Sequence, residues 1–193
     1  MNDLENFRQI TSFEKQIILR SLSTISSKIL QNLDEQQYFL FISFNEKEIK
    51  NNYPMIFLLT AVQKKSLDLI NDKNIVHSVG QYFGFIKKDS FFLSLEGAEF
   101  LFKNGIFSEF HQLLLNKKGE KSFLYGNNIS KIMIHKIPQE FKKKDFLLVL
   151  NDLNEVIGIS QSQCDHQIIH SLNSKDTIAI NLSDKGIYLR KTQ

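Results

Sequence analysis

Beyond Asn116 the chain breaks into strand-length apolar pieces, and turn-forming residues interrupt every one of them. Ser122–Tyr125, Ile134–Ile137, Phe146–Leu150, Val156–Ser160, Ile178–Leu182 and Ile187–Arg190 read as strands, and Ile129–Met133 as a helical turn. Gly126-Asn127-Asn128, Pro138, Asn151-Asp152-Leu153-Asn154-Glu155 and Ser183-Asp184-Lys185-Gly186 lie between them. Short strands at this density leave few solutions, a small barrel or a sandwich, because longer sheets or helices have no room to form.

The first part of the chain reads differently. Phe13, Ile17, Leu22, Ile25 and Ile29 recur at near-helical spacing, predicting one amphipathic helix over Ser12–Gln31 with a Thr11/Glu14 capping box. Tyr38–Phe44 and Met55–Leu59 read as strands around a polar Asn45–Asn52 turn. Thr60 then caps a helix running to Ile70. Gln81–Ile86 and Phe91–Leu95 form a hairpin across Lys87-Lys88-Asp89, and Ser94 caps a helix that ends at Asn104-Gly105. His111–Leu115 is one more strand. The turn chemistry of Asn116-Lys117-Lys118-Gly119 sets a boundary there, giving a mixed helix-sheet domain over 1–116 and a β-rich domain over 117–193. The charge divides at the same place. Residues 1–116 carry 12 Lys and Arg against 13 Asp and Glu, and residues 117–193 carry 12 against 8. A basic module beside a neutral one points to a polyanionic partner for the basic part.

Several function classes are set aside on composition. No apolar run reaches the ~20 residues that cross a bilayer, and no secretory signal opens the chain, so the expectation is an intracellular protein without membrane contact. One cysteine, Cys164, excludes an intrachain disulfide. Cys164, His166 and His170 would share a helical face only if the stretch were α-helical, and three soft ligands fall short of a structural zinc site; no metal and no cofactor are expected. Eight glycines form neither a P-loop nor a dinucleotide fingerprint, and the carboxylates are scattered, so no catalytic residues are assigned and the chain is not expected to be an enzyme. Tyr82, Phe83, Phe85, Phe91 and Phe92 suit core packing best, with alternate aromatics leaving one face for a partner.

The stretch Glu120-Lys121-Ser122-Phe123-Leu124-Tyr125-Gly126-Asn127 is the most specific in the sequence. With Lys131, Lys136 and the closing Gly186-Ile187-Tyr188-Leu189-Arg190, it resembles the C-terminal PUA domain of the nuclear import protein seven family of ribosome-biogenesis factors. Val156-Ile157-Gly158 places a glycine where that family has one. Arg8-Gln9-Ile10-Thr11 and Ser78-Val79-Gly80-Gln81-Tyr82-Phe83-Gly84-Phe85 extend the likeness, more loosely, through the first half. Two stretches depart from the family: Ile132-Met133-Ile134-His135 replaces small residues, and Gln161 to His170 is neutral where the family tends to be basic.

The resemblance implies an α+β fold, an N-terminal mixed helix-sheet domain followed by a PUA pseudobarrel. It implies binding of ribosomal precursor RNA during large-subunit assembly and rRNA processing, without catalysis. Lys121, Gly126, Asn127, Lys131, Lys136, Lys142, Lys143, Lys144 and Arg190 are the expected RNA-binding residues. Other ribosome-assembly proteins are expected partners, through the N-terminal domain of a monomer. The implied address is cytoplasmic in a prokaryote and nucleolar or nuclear in a eukaryote. The alternative is a protein-interaction adaptor with weakened RNA affinity that regulates RNA processing or degradation, which the two departures favour.

Overall fold

A computed structural model describes residues 7–44, 53–70, 76, 78–106 and 111–190; the expected Asn45–Asn52 turn lies outside them. The fold is α+β, in two units, Met1–Ile106 and Phe107–Gln193. Among the described residues no helix is long and apolar enough to cross a membrane.

The first unit is an antiparallel meander of β1 (Phe7–Gln9), β2 (Tyr38–Ser43), β3 (Met55–Thr60), β4 (Gln81–Lys87) and β5 (Ser90–Leu93), in that order across the sheet. Helices α1 (Ser12–Leu22), α2 (Ile29–Glu35), α3 (Ala61–Asp68) and α4 (Leu95–Lys103) pack on it. The period of two divides the strands. Phe41 and Phe57 pair on one face with Phe7, Leu59 and Leu67, and Leu40, Ile42, Ile56 and Leu58 fall on the other and are equally buried. The single helix expected over 12–31 is two helices, because the chain turns at Ser23–Ile25 and restarts so that Ile29, Leu30 and Leu33 face inward. The hairpin turn is Lys88-Asp89, both at positive φ as a two-residue turn requires.

The cap of α1 is reinforced by charge. Thr11 and Glu14 form the expected capping box, and Arg8 donates to both Glu14 oxygens at 2.9 and 2.8 Å. Burial alone would push the Glu14 carboxyl up, but the hydrogen bonds from Arg8 and Thr11 outweigh it and hold the pKa below the usual value.

The second unit holds β6 (Gln112–Leu115), α5 (Lys117–Leu124), β7 (Ile129–Ser130), β8 (Ile134–Lys136), β9 (Phe146–Leu150), β10 (Val156–Ser162), β11 (Thr177–Asp184) and α6 (Ile187–Arg190). Its sheet runs β7-β11-β10-β9-β6-β8. The two edge strands, β7 and β8, are separated in the chain only by the 3₁₀ turn Lys131–Met133. The four residue steps from Ser130 to Ile134 span at most about 14 Å, so the ends of the two edge strands are held close and the sheet curls into a nearly closed barrel around Leu113, Phe123, Ile129, Met133, Leu147, Val149, Ile157 and Ile178.

Three expectations are corrected here. Strand β6 is hydrogen-bonded between β9, in parallel, and β8, so residues 112–115 belong to the second unit and the boundary lies before them, not at 116. The polar Asn116–Gly119 stretch is not a linker but the capped start of α5, which replaces the strand expected over Ser122–Tyr125. Ile187–Arg190 is a helical turn rather than a strand.

Two outcomes follow. A fragment of residues 107–193 gives a dispersed amide NMR spectrum, whereas 117–193, without β6, loses Leu113 and Leu115 from the core, leaves one edge of β9 and all of β8 unpaired, and gives a collapsed spectrum. Glu14→Gln lowers stability by about 1 kcal/mol at neutral pH, the order of a lost helix cap. Because the folded carboxyl titrates below its unfolded value, Glu14 contributes fully above the unfolded pKa and loses its contribution as the pH falls through the folded one. Thermal melts therefore converge for wild type and variant as the pH drops below about 4.

Candidate nucleic-acid interface

Helix α5 is fixed to the barrel at both ends and through its middle. At its start, Asn116 Oδ1 accepts from the Gly119 N–H at 2.9 Å, while Asn116 Nδ2 and N donate to the carbonyls of Ile132 and Met133 at 2.9 and 3.0 Å. Gly119 and Phe123, four apart, face inward, and Lys117, Lys118 and Lys121 face solvent. Phe123 is completely buried with its ring over Gly158, where a Cβ would overlap the ring.

The end of the helix is latched by the chain's last described turn. Gly126, at φ +91°, donates to the Phe123 carbonyl at 2.8 Å and terminates the helix. Arg190 donates to the Leu124 carbonyl and makes a two-pronged pair with Asp184, both bonds 2.9 Å. Asp184 is 2% exposed, and Asn181 Nδ2 bridges it to the Phe123 carbonyl at 2.9 and 3.1 Å. Gly186 touches the Leu124 carbonyl so closely that any Cβ would collide with it.

This latch forms the floor of a groove of about 500 Å³ lined by Lys117, Glu120, Lys121, Leu124, Tyr125, Lys185, Gly186 and Arg190. Tyr125 is 66% exposed, and no hydrogen bond or ring contact involves its side chain among the described residues. An exposed aromatic ring among lysines can stack a base while ammonium groups meet phosphates. Sequence reasoning assigned Lys121 and missed Lys117, Lys185 and Tyr125. The buried spacing of Gly119 and Phe123 is the signal that would have revealed the helix and put Lys117 and Lys121 on its outer face.

The other expected residues lie apart from this groove or are engaged internally. Arg190 lines the groove, but its guanidinium is engaged by Asp184 and the Leu124 carbonyl. Lys131 donates to the carbonyls of His170 and Leu172 at 3.1 and 2.7 Å, pinning the closing turn. Gly126 and Asn127 are exposed, but Asn127 Nδ2 donates back to the Ser122 carbonyl at 3.1 Å. Lys142, Lys143 and Lys144 are exposed in a turn held by Asp145, Asp165 and Ser162. The Lys144 N–H donates to Ser162 and that of Lys185 to Ile157, near opposite ends of β10, so the two lysine sites are roughly 17 Å apart at the rise of a strand. Lys136 is exposed on β8 opposite Leu114.

The Cys164, His166 and His170 stretch is a 3₁₀ segment from His166 to Ser171, so residues four apart do not share a face. Cys164 is buried in the barrel core; burial pushes its thiol up, Asp165 adds to this, and Lys143 opposes it. His166 sits edge-on to Phe141 at 5.8 Å. Among the described residues no group of three His, Cys, Asp or Glu side chains is placed to hold a metal ion.

Residues 111–193 match the family described as the UPF0113 PUA domain. PUA domains are an RNA-binding fold. A UPF0113 protein of Archaeoglobus fulgidus is 28% identical over 184 residues, covering 95% of this chain and 94% of that protein. Among solved structures, a hypothetical protein of Pyrococcus horikoshii OT3 superposes with a TM-score of 0.61 at 10% identity, over 95% of this chain and 98% of its own. A PUA domain protein of Aeropyrum pernix K1 does so with a TM-score of 0.63 at 11% identity, over 92% and 85%. These likenesses establish the fold.

Removing the latch affects folding before binding. Arg190→Ala leaves Asp184 buried without its cation and lowers the melting temperature. Phe123→Ala empties the barrel's plug and costs about 3–5 kcal/mol, read by urea denaturation.

Proposed function

We propose that this chain is an RNA-binding factor of large ribosomal subunit assembly, akin to the nuclear import protein seven family, that holds precursor ribosomal RNA without catalysing a reaction. The observation that carries the RNA reading is the groove beside α5, which Lys117, Lys121 and the exposed Tyr125 line together on a fold of the RNA-binding class. The lysines meet phosphates and position a strand, and the tyrosine stacks an unpaired base; selectivity comes from the base and the RNA's shape rather than from the charges. The assembly role rests on the Ser122–Asn127 run and the closing glycine–arginine pattern, which resemble that family.

The adaptor reading draws on one observation: Lys131 and Arg190 are engaged within the barrel, which leaves fewer cations for a polyanion. Binding titrations separate the two. With single-stranded RNA, Lys121→Ala reduces the log–log salt slope by about 0.7 and weakens unrelated sequences equally. Tyr125→Ala weakens binding about tenfold without changing the slope, because stacking displaces no counterions. Unchanged affinity in both folded variants moves the assignment to the adaptor. Crosslinking in cells with sequencing of the bound RNA tests the assembly role, with precursor ribosomal RNA as the expected enrichment.

A further inference from the structure

One acidic side chain stands in the basic groove beside α5. Lys117, Glu120, Lys121 and Leu124 share one face of the helix by their spacing, and all four line the groove with Tyr125. Among the described residues Glu120 forms an ion pair with none of these lysines. Its Oε1 accepts from Asn151 Nδ2 at 3.3 Å, and its Oε2 has no hydrogen-bond partner among the described residues. The amide that holds it is itself fixed. Asn151 is 6% exposed; its Oδ1 accepts from the Leu153 and Glu155 N–H groups at 3.0 and 2.9 Å, and its Nδ2 also donates to Glu155 Oε2 at 2.8 Å. The turn between β9 and β10 therefore orients a half-buried carboxylate on the groove wall, where a site for phosphate alone would do better without one.

We infer that Glu120 makes the groove selective for guanine, by accepting from the Watson–Crick edge of a base stacked on Tyr125. The inference rests on the RNA reading of this groove and adds the identity of the base. A carboxylate accepts and does not donate, and its two oxygens lie in one plane. Guanine alone among the four bases presents two adjacent donors on that edge, N1–H and the 2-amino group, so it meets both oxygens in a two-pronged pair. Cytosine and adenine each set an acceptor nitrogen beside their amino group. Uracil sets its N3–H between two carbonyl oxygens, which repel a carboxylate. Asn151 leaves the pairing open, because its long bond to Oε1 uses one lone pair of that oxygen and none of Oε2. Glu120 lies about 7.5 Å from Tyr125 along the helix axis, the scale of one purine, so a single base spans both. Lys117 and Lys121, on the same face, supply the charge for its phosphates.

The test uses the full chain and RNA pentanucleotides of uridine whose central base is uracil, cytosine, adenine, guanine or hypoxanthine, titrated by fluorescence anisotropy at low salt. The guanine strand binds about tenfold tighter than the all-uracil one. Hypoxanthine, which keeps N1–H and lacks the 2-amino group, falls between them. Glu120→Gln, whose side-chain oxygen still accepts from Asn151, keeps its circular dichroism spectrum, binds the all-uracil strand at least as well as wild type and loses the guanine preference. A merely structural role for Glu120 would change the affinity for every strand alike and leave that ratio in place. Equal binding of all five strands, a preference for another base, hypoxanthine binding as tightly as guanine, or a guanine preference that survives in folded Glu120→Gln overturns the inference and leaves the groove reading standing. Failure of the wild-type chain to bind any of the five overturns both.

Discussion

The barrel of the second unit closes because Lys131–Met133 is all that separates its two edge strands. So short a connection is workable only if each of its residues is spoken for. Met133 goes into the core, and the Lys131 ammonium is held by two carbonyls. The Ile132 and Met133 carbonyls accept from Asn116. That last pair of bonds determines where α5 begins, and Phe123 over Gly158 determines how it lies. The groove and its lysines are therefore a consequence of closure: they stand where the helix that seals the barrel must stand.

Much of the fold was legible from local chemistry. Caps at Thr11, Thr60 and Ser94, the hairpins at Lys88-Asp89 and Asn151–Glu155, and the β-rich second half all answer to side chains acting within a few residues of themselves. The errors share one cause. Asn116 looks like a turn residue because it bonds to nearby N–H groups, and an N-cap uses the same bond; only the carbonyls of Ile132 and Met133, distant in sequence, distinguish the two. Ile187–Arg190 alternates like a strand, yet the Arg190 bonds to Asp184 and Leu124 bend it into a helical turn. In each case a tertiary bond overrides a local pattern.

The candidate site was less legible than the fold, and charge explains why. The excess of positive charge beyond Asn116 is real, but it is not one patch. Lys131 and Arg190 are used internally, and the Lys142–Lys144 turn and the groove lysines sit at opposite ends of β10. Composition reports the sum of these charges; it does not report which are already paired. What the sum still predicts is a long-range attraction for a polyanion, which raises encounter rates without choosing where the strand lies.

Within the stretch that carries the family resemblance, internal duties account for nearly every residue. The Ser122 carbonyl and hydroxyl accept from Asn127, Phe123 plugs the core, the Leu124 carbonyl takes Arg190, and Gly126 ends the helix. Such a motif reports a fold, because each residue answers to the barrel. Lys121, which faces solvent, and Tyr125 are the exceptions, and of the two it is Tyr125 that carries a ring. Its backbone N–H caps the helix, a task any residue but proline performs, and its ring is 66% exposed in the groove that Lys121 and Lys185 also line. A ring with no packing or hydrogen-bonding task among the described residues is the part of the run whose chemistry the fold does not explain. Its flat face among ammonium groups matches what an unpaired nucleotide offers, so the residue with the least structural work carries the most weight in the RNA assignment.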